Sequence, residues 1–244
     1  MNKVLFPNIA YWLALFIPLT FIGFYPTYFS KLFSGVPSIY HIHAFFMLLW
    51  IALAILQPYL IYRKKTKQHK LLGKISYLLM PLVLLTAWMM MRHSYFNYIN
   101  AELQKLPAGS IVAEQIKIIA ANNLKIGILY GISLALFYGL AVYFRKKIVY
   151  HATFMLAATL SLTGPTLDRV LYPLLVKYQL PINDFIISFL VIDLVLLALL
   201  IYQRNKGTGI NATLFSLLFY ISWQVLFYLL PVIKIWKWIV DPLG

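Results

Sequence analysis

Seven long apolar blocks, near residues 9–29, 39–62, 72–91, 126–144, 148–168, 184–202 and 212–234, decide what this chain can fold into. A helix of about 20 residues, rising about 1.5 Å per residue, crosses a hydrocarbon layer about 30 Å thick. Backbone facing that layer must satisfy its hydrogen bonds internally, which leaves helices and closed barrels. These blocks are too long and too uniformly apolar for the alternating strands of a barrel. Composition agrees: 62% of the 244 residues are hydrophobic and 11% are charged, against about 25% charged in a soluble domain. The expected fold is all-α, a polytopic seven-transmembrane-helix bundle forming a single domain over 1–244. Gly127, Gly131 and Gly139 interrupt the fourth block, as small residues do where membrane helices approach closely.

The net charge of +15 reads as topology. Arg63, Lys64, Lys65, Lys67, Lys70 and Lys74 form one basic loop, Arg145, Lys146 and Lys147 a second, and Arg204 with Lys206 a third. With Lys3 they put twelve basic residues and no acid on one side, leaving nine basic residues and five of the six acids on the other. The positive-inside rule makes the first side cytoplasmic, the N-terminus cytoplasmic and the C-terminus external. The expected location is the bacterial inner membrane, multi-pass. Membrane lipid is the expected partner of the basic loops. Nucleic acid is not, because no folded reading element accompanies them.

The first block follows only Lys3 and ends without a small-x-small cleavage site, so it is expected to remain as a span. Cysteine is absent, which excludes disulfides, thiolate metal sites and cysteine nucleophiles. No glycine-rich nucleotide loop, G-x-S-x-G nucleophile or H-E-x-x-H zinc motif occurs. Outside the blocks, 92–125 is expected to be the one sizeable external loop, with Ser110–Ile119 either an interfacial helix or a lid. Loop 169–183, with Pro173 and Pro181, is expected to form an ordered outer turn. Trp236 and Trp238 in the C-terminal tail suit the headgroup belt.

The polar residues at the block ends carry the functional expectation. His41 and His43 open the second block at its outer end, His93 closes the third, and Asp168 closes the fifth. Two or three imidazoles and a carboxylate form a candidate transition-metal or zinc group. Each is equally at home as an interfacial polar residue. His43, Met47, Trp50, Ala54 and Gln57 are spaced by four, three, four and three, so they share a face. Gln57 needs polar company if buried, so that face is expected to turn inward. On the opposite side, His69 precedes the third block and His151 opens the fifth. Two histidines from separate helices could ligate one haem iron from opposite faces. Alternatively, His69 is solvated and His151 bonds a backbone carbonyl.

Asp193 sits in the middle of the sixth block and Gln224 at similar depth in the seventh. An acid at bilayer centre costs about 2.5–3.5 kcal/mol on insertion scales. It is expected either to lie on a proton path or, more plainly, to bond Gln224. Pro165, in Thr163-Gly164-Pro165-Thr166, removes a backbone donor and is expected to bend or end the fifth helix.

The ordered combination of His41-Ile42-His43-Ala44-Phe45-Phe46-Met47-Leu48-Leu49-Trp50, Gln57, His69-Lys70-Leu71-Leu72-Gly73-Lys74 and His151 resembles a group of bacterial predicted inner-membrane proteins with no assigned chemistry, over residues 18–170. More faintly, His43 with Met47 resembles the outer histidine-x-x-x-methionine helix opening of transmembrane b-type cytochromes reducible by ascorbate, and His69 and His151 fall where their inner haem pair does. The chain departs from that pattern in its fourth block, which has no histidine. The resemblance implies cofactor binding at His69, His151 and His43.

Three functions follow as expectations. The first is an integral membrane redox or metal-binding protein holding haem b or a transition metal, acting on a quinone or another small lipid-soluble substrate. The second is a proton-coupled transporter using Asp193. The third is a non-catalytic assembly factor with a membrane-protein partner or as a homodimer.

Overall fold

The computed structural model describes residues 8–105, 112–180 and 184–229. Those residues are helical almost throughout and include no strand. In order, the chain forms α1 (Ile9–Ala14), α2 (Phe16–Phe24), a 3₁₀ turn (Phe29–Lys31), α3 (Ser38–Tyr62), α4 (Thr66–Leu103), α5 (Val112–Tyr143), α6 (Ile148–Leu160), α7 (Thr163–Lys177), α8 (Asp184–Lys206) and α9 (Ile210–Leu229). Among the described residues five helices, α3, α4, α5, α8 and α9, are long and apolar enough to cross a membrane.

The first and fifth apolar blocks are each broken in two, and proline explains both breaks. A proline ring clashes with the carbonyl four residues earlier. Pro18 therefore strains a continuous helix at Ala14, where α1 ends. Pro165 does the same at Ser161, and α6 ends at Leu160. The Thr166 hydroxyl donates back to the Leu162 carbonyl at 2.8 Å, so the break leaves that acceptor satisfied. Pro58 and Pro81 lie within unbroken α3 and α4.

Each basic stretch flanks a tight turn between two packed helices: α3 with α4, α5 with α6, α8 with α9. The last of these turns uses Gly207 and Gly209 at φ of +64° and +72°, which glycine reaches without a Cβ penalty. Further packing joins α4 to α5, α7 to α2 and α8, α1 to α3, and α6 to α9. The core holds Trp50, Phe137, Phe189, Ile192, Leu196 and Tyr220, all essentially inaccessible. Conversely, Phe45 and Leu48 on α3, Leu78 on α4 and Leu190 and Leu194 on α8 are exposed. Apolar outer faces on helices of this length suit a hydrocarbon solvent.

Two loop expectations are corrected. Residues 92–103 continue α4, and residues from Val112 belong to α5, so most of 92–125 is helical. Tyr95, Ile99, Ile116, Ala120 and Leu124 form a small separate core between the two extensions, and that packing carries the helices past their apolar blocks. Residues 112–119 are the start of α5 rather than an independent interfacial helix, while Ser110 and Ile111 lie outside the described residues. Likewise α7 runs to Lys177 with Pro173 inside it, in place of an outer turn beginning at 169. Pro181, Trp236 and Trp238 lie outside the described residues.

Candidate functional site

The α5–α6 turn folds the chain back so that His151 lies beside the last turn of α5. His151 Nδ1 is 2.8 Å from the Ala141 carbonyl oxygen. A carbonyl only accepts, so the proton is on Nδ1 and the lone pair is on Nε2. His69, near the start of α4, meets this ring with centroids 6.3 Å apart and planes at 85°. The expected pair is therefore brought together from two helices. His69 Nδ1 is buried and makes no hydrogen bond, and the same holds for Gln57 Oε1.

The α3 face carrying Gln57 is turned inward. Trp50 and Ala54 are buried, His43, Met47 and Gln57 are half-buried, and Ile42, Phe45 and Leu56 on the other side are exposed. Gly73 of α4 lies against the Gln57 amide: a Cβ there would sit 3.8 Å from Nε2. The Ser76 hydroxyl bonds the Tyr138 phenol at 2.8 Å, and the Tyr138 ring meets Trp50 edge-on at 5.6 Å. Trp50 Nε1 is also buried without a partner.

The histidines at the far end of the bundle do not converge. His41 Nδ1 bonds the Tyr28 hydroxyl at 2.9 Å. His43 Nδ1 is 3.3 Å from Thr86 Oγ1. The Thr86 hydroxyl donates to the Leu82 carbonyl at 2.7 Å, so His43 supplies the proton to Thr86. His93 Nε2 accepts from Asn97 at 2.8 Å, and its ring meets Tyr40 edge-on at 5.7 Å. Among the described residues no three of the side chains His, Asp and Glu gather where they could hold a metal ion. His41, His43, His93 and Asp168 are thus four separately engaged groups.

Asp168 instead faces α5 and α8. One carboxylate oxygen accepts a short hydrogen bond from the Ser188 hydroxyl, and the other accepts from Tyr130 at 3.4 Å. Gly164 makes room for this arrangement, since a Cβ there would overlap the Tyr130 phenol. Gly23 does the same for the α2–α7 contact, where a Cβ would stand 2.6 Å from the Thr166 carbonyl. The neighbouring Arg169 turns the other way. Its guanidinium lies 4.3 Å from the Phe24 ring centre and donates to the Pro165 carbonyl at 2.6 Å. No family model, curated protein or solved structure matches this chain.

Asp193 and Gln224 meet as expected, the Gln224 amide donating to Asp193 Oδ2 at 2.6 Å. Asp193 Oδ1 is buried without a partner. Three polar features were missed. Gln203 is buried and donates to Thr153 at 3.0 Å while accepting from Thr213, tying α8 to α6 and α9. Tyr130 and Ser188 hold Asp168, and nothing in their sequence surroundings sets them apart from structural residues. Lys125 is 2% exposed, with one bond to the Phe227 carbonyl at 3.0 Å and its ammonium 3.8 Å from the Phe227 ring centre. A lone cation beside the start of an apolar block was the available signal for that residue.

Proposed function

We propose that this chain is an integral inner-membrane protein of seven crossings that holds a haem iron or a single transition-metal ion between His69 and His151. The broken pairs α1–α2 and α6–α7 supply the two crossings beyond the five long helices. With the basic turns cytoplasmic, the N-terminus is inside, the C-terminus outside, and the histidine pair at the inner end.

The observation that carries the reading is the meeting of the two imidazoles with their centroids 6.3 Å apart. Imidazoles that meet at that distance from two separate helices could both reach one haem iron or one metal ion. Metal-bound histidines typically give their other N–H to a carbonyl or carboxylate, and His151 does so to Ala141. His69 has a contact with the Gln57 backbone, and its Nδ1 is buried without a hydrogen bond. A protein-only tetrahedral zinc site fits less well, because among the described residues no third His, Asp or Glu joins the pair. Two axial imidazoles suffice for haem. Bound there, the iron or metal ion would supply one-electron exchange. The residues themselves fix the His151 tautomer and set Lys70 and Lys74 nearby in the chain, where they suit propionate charges.

Metal analysis and an optical spectrum of the detergent-purified chain test this. Near-stoichiometric iron, copper or another transition metal in the wild type, lost in His69→Ala and in His151→Ala, is the expected result. Wild-type protein free of metal and of visible absorption, purified from metal-replete and haem-replete cells, removes the proposal.

A further inference from the structure

Both imidazoles of the pair are backed by the main chain of a neighbouring helix. His151 Nδ1 donates to the Ala141 carbonyl of α5 at 2.8 Å, which leaves its lone pair on Nε2. His69 has its contact with the backbone of Gln57 on α3. Its Nδ1 makes no hydrogen bond, so that contact belongs to Nε2–H, and the lone pair lies on the buried Nδ1. The Gln57 side chain meets the same helix as His69. A Cβ on Gly73, one turn after His69 in α4, would sit 3.8 Å from Gln57 Nε2. Gln57 Oε1 is buried and likewise makes no hydrogen bond. Two buried acceptors from residues in contact, an oxygen and a nitrogen, thus lack a donor at the α3–α4 contact. The ring that carries a third lone pair, His151, has its centroid 6.3 Å from that of His69. A buried acceptor without a donor is costly to the fold, and a cation satisfies several at once.

We propose that Gln57 Oε1 is the third ligand at the histidine pair, and that the guest is a bare divalent transition-metal ion. The inference rests on the paired-histidine reading and narrows it. Imidazole nitrogens with an amide oxygen suit first-row ions such as cobalt, nickel, copper or zinc. Three protein ligands leave a coordination position for water or a small substrate. A haem iron between two axial imidazoles has all its positions filled and would leave Gln57 Oε1 without a partner. The backbone contact behind each ring is the outer-shell arrangement that orients a metal-bound histidine.

The probe is cobalt(II), titrated against the full chain in detergent after chelator dialysis and followed by its visible d–d absorption. Saturable binding at one ion per chain is expected, lost in His69→Ala and in His151→Ala. Gln57→Leu should weaken it about tenfold or more and shift the d–d bands, a change that a purely structural role for Gln57 would not produce. Gln57→Glu should bind more tightly than wild type, because a carboxylate oxygen carries charge. Equal affinity and equal bands in wild type and Gln57→Leu overturn the Gln57 assignment and leave the histidine pair standing. Stoichiometric haem in the purified chain also overturns it, while supporting the pair as haem ligands. Wild-type cobalt binding that survives both histidine variants, or no saturable binding, removes both readings. Should Gln57→Leu fail to fold, Gln57→Glu decides: tighter cobalt binding supports the assignment, and unchanged or weaker binding sinks it.

Discussion

His151 donates its Nδ1 proton to the Ala141 carbonyl, ten residues earlier and 2.8 Å away across the α5–α6 turn. This bond fixes the ring's orientation and leaves Nε2 as the nitrogen with the lone pair. An imidazole oriented this way loses less freedom on binding a metal than one free to rotate.

The pair should therefore act as a unit. If the two rings are the ligands proposed above, His69→Ala and His151→Ala should each lower metal or haem retention more than the roughly 10–100-fold associated with losing an outer-shell partner. The double variant should be no worse than the poorer single one. His41→Ala and His93→Ala should leave retention unchanged, because those rings are engaged with Tyr28 and Asn97. Metal content per chain, measured on monodisperse protein, checks all five.

How much of this was legible depended on the kind of signal. The inward face of α3 was readable because Trp50, Ala54 and Gln57 repeat at helical spacing, and a face is a property of one helix. The Asp193–Gln224 bond was readable because both polar groups stand isolated in apolar blocks at matching depth. The break before Pro165 was readable from the proline; the equal break before Pro18 was not, because the surrounding residues are uniformly apolar. The extensions of α4 and α5 were invisible to hydropathy, since Tyr95 and Ile99 gain their apolar surroundings only from Ile116, Ala120 and Leu124 across the hairpin. Convergence of the far histidines was the expectation the fold did not meet. Block-end position fixes depth but not azimuth, and His41, His43 and His93 face different neighbours.

Gly164 should tolerate no side chain. An added Cβ would overlap the Tyr130 phenol, and that ring is buried and stacked on Phe189. Gly164→Ala should destabilise by about 1–3 kcal/mol, as overpacking does. Tyr130→Phe should cost only about 0.6 kcal/mol, an average membrane hydrogen bond, since Asp168 keeps Ser188. In the Gly164→Ala/Tyr130→Ala double variant the overlap is gone, so much of the Gly164→Ala loss should disappear relative to Tyr130→Ala alone. Reversible denaturation in mixed micelles measures the four proteins; additive losses would contradict the overlap.

The buried Gln203 amide holds three helices through Thr153 and Thr213. Gln203→Leu keeps similar volume but strands both hydroxyls. It should cost about 1–3 kcal/mol, the penalty of buried groups left unsatisfied. Adding Thr153→Val and Thr213→Val should return part of that loss, because replacing all partners by apolar groups of like shape removes the stranded atoms. Thermal midpoints in detergent for the single and triple variants check this, and a triple variant less stable than Gln203→Leu would contradict it.

Lys125 and Asp193 separate stability from transport. Lys125 is buried with one carbonyl and one aromatic face for company, a thin set of partners for a cation removed from water. Lys125→Met fills similar space without the desolvation cost, so it should be neutral or stabilising by up to about 1 kcal/mol. Asp193→Asn keeps an acceptor for the Gln224 amide and should likewise change stability by less than about 0.6 kcal/mol. If Asp193 only ties α8 to α9, then Asp193→Asn should leave metal retention intact, and wild-type proteoliposomes should show no proton flux above empty vesicles under an imposed pH gradient. A proton flux that the wild type supports and Asp193→Asn abolishes would instead make Asp193 a proton-carrying group. In that case its unpartnered Oδ1, rather than the bonded Oδ2, is the oxygen positioned to take up the proton.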